Sequence, residues 1–339
     1  MIVSTLFPLD AERDAAPEND HYRTYGLRLV RTRPARRVML NNDVPRRTFL
    51  KLAALGAAGV ALNQPDAVGA TLAEARHTRS IPAAKDVGIK LGVASYSLRN
   101  FPREKAIEMT KSLGTPYINL KSVHLPYDAS PAEIAAARRE VAAAGLQIVG
   151  GGLITFETDT DDGVRKYFDY AKAAGMPVMV STCHPEVLPR VEKFAKQYDI
   201  KIAIHNHGPE DEGFFPSPYD VLKAVKGMDP RIGLCIDVGH TVRTGTDVVR
   251  AVADAGPRLL DMHLKDLRDL KVKESQCIVG EGQMPIVDIF RQLRAMRYPG
   301  YANLEYEIDA DDPLPGMKQS FAYMRGVLAG LASGDNRPR

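Results

Sequence analysis

The sequence predicts an eight-stranded parallel β/α barrel, a TIM barrel, on three observations. From about residue 88, short apolar runs alternate strictly with segments of helical spacing, and that alternation implies a parallel sheet. Eight such units fill about 250 residues, the size of one such barrel. The runs are almost continuously apolar, as strands are when both faces are covered. An open, doubly wound sheet is the alternative, but no GxGxxG follows the first run.

The first strand is expected at 90–95, followed by a helix at 101–113. The second strand, 117–121, leads to an Ala- and Glu-rich helix at 130–144, with Ser130 as cap and Pro131 in its first turn. The third, 147–152, ends in Gly150, Gly151 and Gly152. That run reads as close approach of backbone to a substrate, because it lacks the Lys and Ser/Thr of a phosphate loop. Strands at 177–182, 201–205, 233–237, 260–264 and 302–306 complete the set, with helices at 162–174, 185–197, 218–225, 247–255, 286–296 and 315–331. Phe156, Phe214 and Phe215 fall on loops, as stacking faces for a sugar or as a closed lid.

Composition narrows the function. The 339 residues are 45% hydrophobic, with a formal charge of +3 and the make-up of a globular protein. Residues 1–75 hold 10 Lys+Arg and 8 Asp+Glu, leaving 35 and 34 for 76–339. A near-neutral body has no surplus to neutralise a phosphate backbone, which argues against nucleic acid as a partner. Cys183, Cys235 and Cys277 show no CxxC spacing, and Cys183 and Cys235 read as core packing on strands.

Residues 44–62, VPRRTFLKLAALGAAGVAL, resemble a twin-arginine export signal built on Arg46-Arg47. Pro45 departs from the usual Ser or Thr. The apolar run 52–62 has 11 residues, too few to span a bilayer, so stable membrane insertion is not expected. Cleavage patterns follow at 68–70 and 73–75. The reading divides the chain into an extension at 1–38 that precedes a start at Met39, a signal at 39–75 and a barrel at 76–339. It places the mature protein in the periplasm or outside the cell, with the twin-arginine machinery as a partner.

Six of the eight histidines, His124, His184, His205, His207, His240 and His263, follow strand-like runs. Four clusters, IAIHNHG, LCIDVGH, DMHLKD and ANLEYE, carry imidazole and carboxylate together, a set that suits Mn²⁺, Mg²⁺ or Zn²⁺. In a barrel the chemistry sits at the C-terminal strand ends, where these clusters lie.

The motifs IDVGHT, HLKD, VGEG and YPGYANLEYE, in that order, resemble the sugar phosphate isomerase/epimerase family of xylose-isomerase-like TIM barrels over residues 88–331. The resemblance implies one divalent metal, Mn²⁺ or Mg²⁺ before Zn²⁺, held by Asp237, His263 and Glu305 from strands six to eight. At strand five, where many members carry Glu, this chain has His205, the implied fourth ligand, with His207 two residues on. The paired carboxylates of family epimerases are therefore not both present. Glu305 is expected as the base, opposed by His205, His207, His240, Lys121 or Lys265. His124, Lys265 and His184 are expected to bind substrate. Lys265 can equally pair with Asp266, Glu307 can form a rim salt bridge, and His240 can orient a ligand carboxylate.

The expected function is isomerisation or epimerisation of a sugar or keto-sugar, by proton abstraction next to a carbonyl through a metal-stabilised enediolate. A lyase that cleaves 3-keto-glycosides shares the first step. A non-catalytic sugar-binding barrel is the reading from another class. The expected partner is a small carbohydrate, and a homo-oligomer is compatible with the sequence.

Overall fold

The computed structural model describes residues 88–211 and 214–334. The expected extension (1–38) and export signal (39–75) lie outside the described residues.

The strands are β1 (Lys90–Ala94), β2 (Tyr117–Leu120), β3 (Gln147–Phe156), β4 (Val178–Cys183), β5 (Lys201–His205), β6 (Ile232–Asp237), β7 (Leu259–Leu264), β8 (Asp266–Leu267), β9 (Gln276–Cys277) and β10 (Tyr301–Leu304). All but β8 and β9 form one closed barrel in the order β1-β10-β7-β6-β5-β4-β3-β2, and its eight strands pair in parallel. The intervening helices are α1 (Arg103–Ser112), α2 (Pro131–Ala143), α3 (Asp161–Ala174), α4 (Leu188–Tyr198), α5 (Pro218–Ala224), α6 (Val238–Arg243), α7 (Val248–Ala255), α8 (Ile286–Ala295) and α9 (Leu314–Gly334). The eightfold β/α alternation is as the sequence predicts. The helix at 130–144 begins as expected too: Ser130 and Glu133 cap each other's backbone, with Pro131 in the first turn.

Side chains alternate across each strand. One set packs outward against the helices: Ile202 and Ile204, Leu234 and Ile236, Met262 and Leu264, Ala302 and Leu304 all join the main apolar core. Phe156, Phe168, Phe194 and Phe290 are fully buried there, each stabilising the fold by about 1.5–3 kcal/mol relative to exposure. The other set faces the barrel axis. A small apolar cluster of Val178, Val180, Ala203 and Cys235 fills part of that interior.

Three features differ from expectation. A short helix, α6, follows β6 directly; with six residues it is too brief to show a helical period. The β8–β9 hairpin has two residues per strand, below any visible alternation. The third strand continues past its glycines to Phe156, so Phe156 packs on Phe168 in the core and offers no face to a ligand. The glycines also have a different reason to exist. A Cβ on Gly151 would lie 2.4 Å from Met176 Sδ, and one on Gly152, where φ is 121°, would overlap the Val180 carbonyl. Both close approaches are to barrel atoms.

Candidate metal centre and active site

The strand period that sends apolar side chains outward places every second residue of β2, β5, β6, β7 and the end of β10 on the axis. Asn119 and Lys121, Ala203 and His205, Cys235 and Asp237, Asp261 and His263, Asn303 and Glu305 each sit two apart, hence on one face. The first member of each pair forms a floor, and the second forms a layer above it. In the floor, Asn119 Nδ2 donates to Asp261 Oδ2 at 2.9 Å and Asn303 Nδ2 to Asp261 Oδ1 at 2.7 Å. Burial pushes the Asp261 carboxyl up to about 7, against the opposing effect of the Met262 amide, Lys121 and the two asparagines.

In the layer above, His205, Asp237, His263 and Glu305 offer ligand atoms that all lie within 4.8 Å of one another, and all four residues are buried. His205 Nε2 stands 3.1 Å from His263 Nδ1, which stands 3.1 Å from Glu305 Oε2. Asp237 Oδ2 lies 3.7 Å from the first nitrogen and 4.0 Å from the second. Ligand atoms bound at about 2.1 Å to a common tetrahedral ion are about 3.4 Å apart, so this set fits one divalent cation. Two further observations agree. Asp237 Oδ2 is buried and faces the two ring nitrogens and the Lys265 ammonium, with no backbone amide or hydroxyl on it among the described residues. The two nitrogens and two carboxylate oxygens are also the donor set that Mn²⁺, Mg²⁺ or Zn²⁺ accepts. Cys235, on the floor, lies close enough to form a second compact group with His205 and His263.

Two lysines neutralise this acidic ring. Lys265 Nζ lies 3.0 Å from Asp237 Oδ2 and 3.1 Å from Glu305 Oε2 and also pairs with Glu307, not with Asp266. Lys121 Nζ lies 3.3 Å from Glu305 Oε1 and 3.4 Å from His263 Nε2. Burial raises the Glu305 carboxyl, but His263, Lys265 and Lys121 outweigh it and hold it well below its usual range. For Asp237, burial is likewise outweighed, first by Lys265 and then by His240. Burial lowers His263 and His207 to about 4 each and puts His240 well below its ordinary value. At neutral pH the ring therefore presents ionised carboxylates at Asp237 and Glu305 and an uncharged imidazole at His263, the forms a metal requires.

Local structure fixes several of these groups. Asp237 ends β6 and caps α6: Oδ1 accepts from the His240 amide at 2.8 Å, leaving Oδ2 for the ring. His207 lies beyond the end of β5, with its ring centroid 5.3 Å from that of His205 and 4.7 Å from that of His240. A cleft of about 180 Å³ beside the ring is lined by His240, Arg243, Lys265, Lys273, Gln276 and Glu307, among others.

The lip of the cleft is built by the β8–β9 segment. The Asp266 carboxylate accepts from the amides of Leu267, Gly280, Gly282 and Met284 at 2.8–3.1 Å, which gathers the HLKD and VGEG motifs into one turn. Gln276 Nε2 donates to the Glu305 carbonyl at 2.7 Å, and its Oε1 accepts from the Glu307 amide at 2.9 Å.

The other expected site residues sit elsewhere. His124 is buried, with Nδ1 2.9 Å from Ser95 Oγ and Nε2 3.1 Å from the Phe101 carbonyl; both nitrogens are engaged by protein. His184 is exposed and stacks on Phe214 at 4.5 Å, while Phe215 is buried. Sequence reasoning passed over Arg243, Gln276 and the Asp261 floor. Arg243 carried a signal: it lies three residues after His240, on the same face of a helix. The floor carried one too, as the residue two before each of His205, Asp237, His263 and Glu305.

A match to the family described as "Xylose isomerase-like TIM barrel" spans residues 49–327. An inosose dehydratase of Mesomycoplasma hyopneumoniae (strain 7448) is 26% identical over 161 residues, covering 42% of this chain and 53% of its own. The chain thus spans about half the length of the curated relatives it matches. An uncharacterised protein from Parabacteroides distasonis ATCC 8503 is 25% identical, with a TM-score of 0.56 over 70% of this chain and 99% of that one. A D-psicose 3-epimerase, solved with D-fructose, is 17% identical, with a TM-score of 0.60 over 71% and 100%; that likeness shows the fold alone.

Proposed function

The chain belongs to the xylose isomerase-like TIM barrel family, and from that premise we propose that it is a metal-dependent enzyme that removes a proton from the carbon beside a carbonyl of a sugar or keto-sugar. The observation that carries this reading is the convergence of His205, Asp237, His263 and Glu305 within 4.8 Å, with Glu305 kept ionised by cationic neighbours. A divalent ion in this ring, Mn²⁺ or Mg²⁺ before Zn²⁺, would polarise the carbonyl.

The residues divide the remaining work. Glu305 turns Oε2 to the ring and Oε1 toward Lys121, and as an ionised carboxylate it is the group to accept the proton. Lys121, His207 and His240 are placed around the same centre to supply hydrogen bonds to substrate oxygens and to return the proton at the next carbon or at a departing oxygen. Lys265 holds the carboxylates in place. His184 and Phe214 remain candidates for the outer end of a substrate, whereas the engaged nitrogens of His124 favour a supporting role.

Two outcomes follow from the same first step. Return of the proton gives epimerisation or isomerisation. Loss of a group from the neighbouring carbon gives elimination, as in dehydration of a keto-inositol or cleavage of a 3-keto-glycoside. The elimination reading is favoured by the dehydratase likeness; the proton that Glu305 removes then passes to the departing oxygen, which His207 or His240 can meet with a ring N–H as hydrogen-bond donor.

The test is solvent-deuterium exchange followed by NMR, using protein from about residue 76 loaded with Mn²⁺ or Mg²⁺ and freed of excess. Deuterium should enter beside the carbonyl of a keto-sugar or 3-keto-glycoside and be lost in Glu305→Gln. The product, whether epimer, isomer or released aglycone, separates the two readings. Sugar binding without exchange across the panel would point to a binding barrel instead. Export by the twin-arginine route is proposed on Arg46-Arg47 and the apolar run after them; cell fractionation of an Arg46→Lys/Arg47→Lys variant tests it, and unchanged export would refute it.

A further inference from the structure

Arg243 closes α6 with a side chain only 3% exposed. Its guanidinium grips both carboxylate oxygens of Glu210, from the loop after β5, with Nη2 2.9 Å from Oε2. The same Nη2 stands 2.7 Å from His240 Nδ1. An arginine has only N–H donors, so Nδ1 must meet it with a lone pair, and a neutral His240 ring must then carry its proton on Nε2. We infer that the Glu210–Arg243 pair is a positioning device that fixes His240 as the Nε2–H tautomer, so that His240 offers the cleft a hydrogen-bond donor and not an acceptor.

A separate observation supports the device. Gly208 has φ of 91°, and a Cβ there would lie 2.5 Å from Arg243 Nη2, 3.0 Å from His240 Nδ1 and 3.1 Å from Glu210 Oε2. All three members meet around the one residue that carries no side chain. Glu210 itself is 59% exposed at its side chain, so its position owes more to the guanidinium than to packing. The arrangement ties the loop after β5, next to the ligand His205, to the helix that begins on the ligand Asp237.

The consequence for chemistry rests on the proposed function; the tautomer does not. A donor at His240 fits a substrate hydroxyl or carbonyl oxygen that gains negative charge as the neighbouring proton leaves. The same N–H fits the oxygen of a departing group.

The deciding measurement is long-range ¹H–¹⁵N correlation of the histidine rings at neutral pH, with His240 assigned by loss of its signals in His240→Gln. The wild type should show an unprotonated Nδ1 and a protonated Nε2 at His240. Arg243→Met should populate the other tautomer, and Arg243→Lys, which restores one donor, should recover most of the original pattern. Glu210→Gln, at an exposed position, gives a partial shift and serves if Arg243→Met does not fold. A wild-type ring protonated on Nδ1, or a pattern unchanged in both Arg243→Met and Glu210→Gln, overturns the inference. Where a substrate turns over, kcat in Arg243→Met should fall about 10–100-fold with metal content unchanged, the range for partners that orient a working group. A panel without turnover counts against the proposed function alone, and the ring pattern still decides the tautomer.

Discussion

The two halves of the barrel mouth use the same residue types to different ends. At the β1–β4 side, His124 is buried with each nitrogen facing a neutral oxygen of the protein. At the β5–β10 side, His205 and His263 are buried to a similar depth, yet their nitrogens face each other and two carboxylates, and His205 Nδ1 has no hydrogen-bond partner among the described residues. Burial and a place at a strand end are common to both halves. What distinguishes the working half is that its polar atoms are left to one another. Lys121 joins the halves at this level, reaching Glu305 from β2, as Asn119 joins them in the floor by bonding Asp261.

The largest expected effect breaks the working half directly. His263→Ala should abolish stoichiometric binding of Mn²⁺ or Mg²⁺ and lower turnover by about 10²–10⁴-fold, the effect of losing the several kcal/mol of charge stabilisation that the ion would supply; metal analysis and exchange kinetics report both. Full metal occupancy in that variant would dissolve the contrast between the two halves.

Acid provides a gentler probe. In the metal-free protein His263 and His207 titrate near 4, against about 6.5 in the unfolded chain. Between those values the unfolded state binds more protons, so stability falls as pH drops through about 6.5 to 4, by up to about 3 kcal/mol for each ring. Bound metal should steepen this loss, because the ligand imidazole must release the ion before it protonates. Thermal melts with and without Mn²⁺ across that range measure it, and a melting temperature independent of pH would contradict the buried neutral rings.

The smallest effect belongs to the other half. His124→Ala should leave metal content unchanged and cost about 1–3 kcal/mol, the penalty for unpaired buried partners. Denaturant unfolding combined with metal analysis checks it. Loss of metal in this variant would move His124 into the site.

Much of the fold was legible because strand and helix periods survive in the sequence wherever elements are long enough. The outward set in β5, β6, β7 and β10 is Ile, Leu, Met and Ala, and that pattern alone places His205, Asp237, His263 and Glu305 on the opposite face. The same pattern contains the floor, since Asp261 and Asn303 precede His263 and Glu305 by two residues. What was illegible depends on elements too short to show a period, or on distant loops meeting. α6 begins on Asp237, a residue that reads first as a ligand and only in three dimensions as a cap. Arg243 gains its meaning from Glu210, 33 residues away. The glycines of β3 were read toward a ligand, and their actual neighbours, Met176 and the Val180 carbonyl, come from the next unit of the barrel.

The side-chain amide of Gln276 bonds the Glu305 carbonyl and the Glu307 amide as a neighbouring strand would, while Asp266 gathers four amides of its own segment. The lip is therefore a cassette with two fixed rivets, and the span between them, 269–275, is a turn that Ser275 closes on the amide and carbonyl of Asp269. Exchange of its exposed side chains, Lys273 and Glu274 among them, is expected to reshape what enters the cleft while Gln276 holds the backbone of Glu305 beneath it. A graft that omits either rivet would carry the lip's sequence but not its shape.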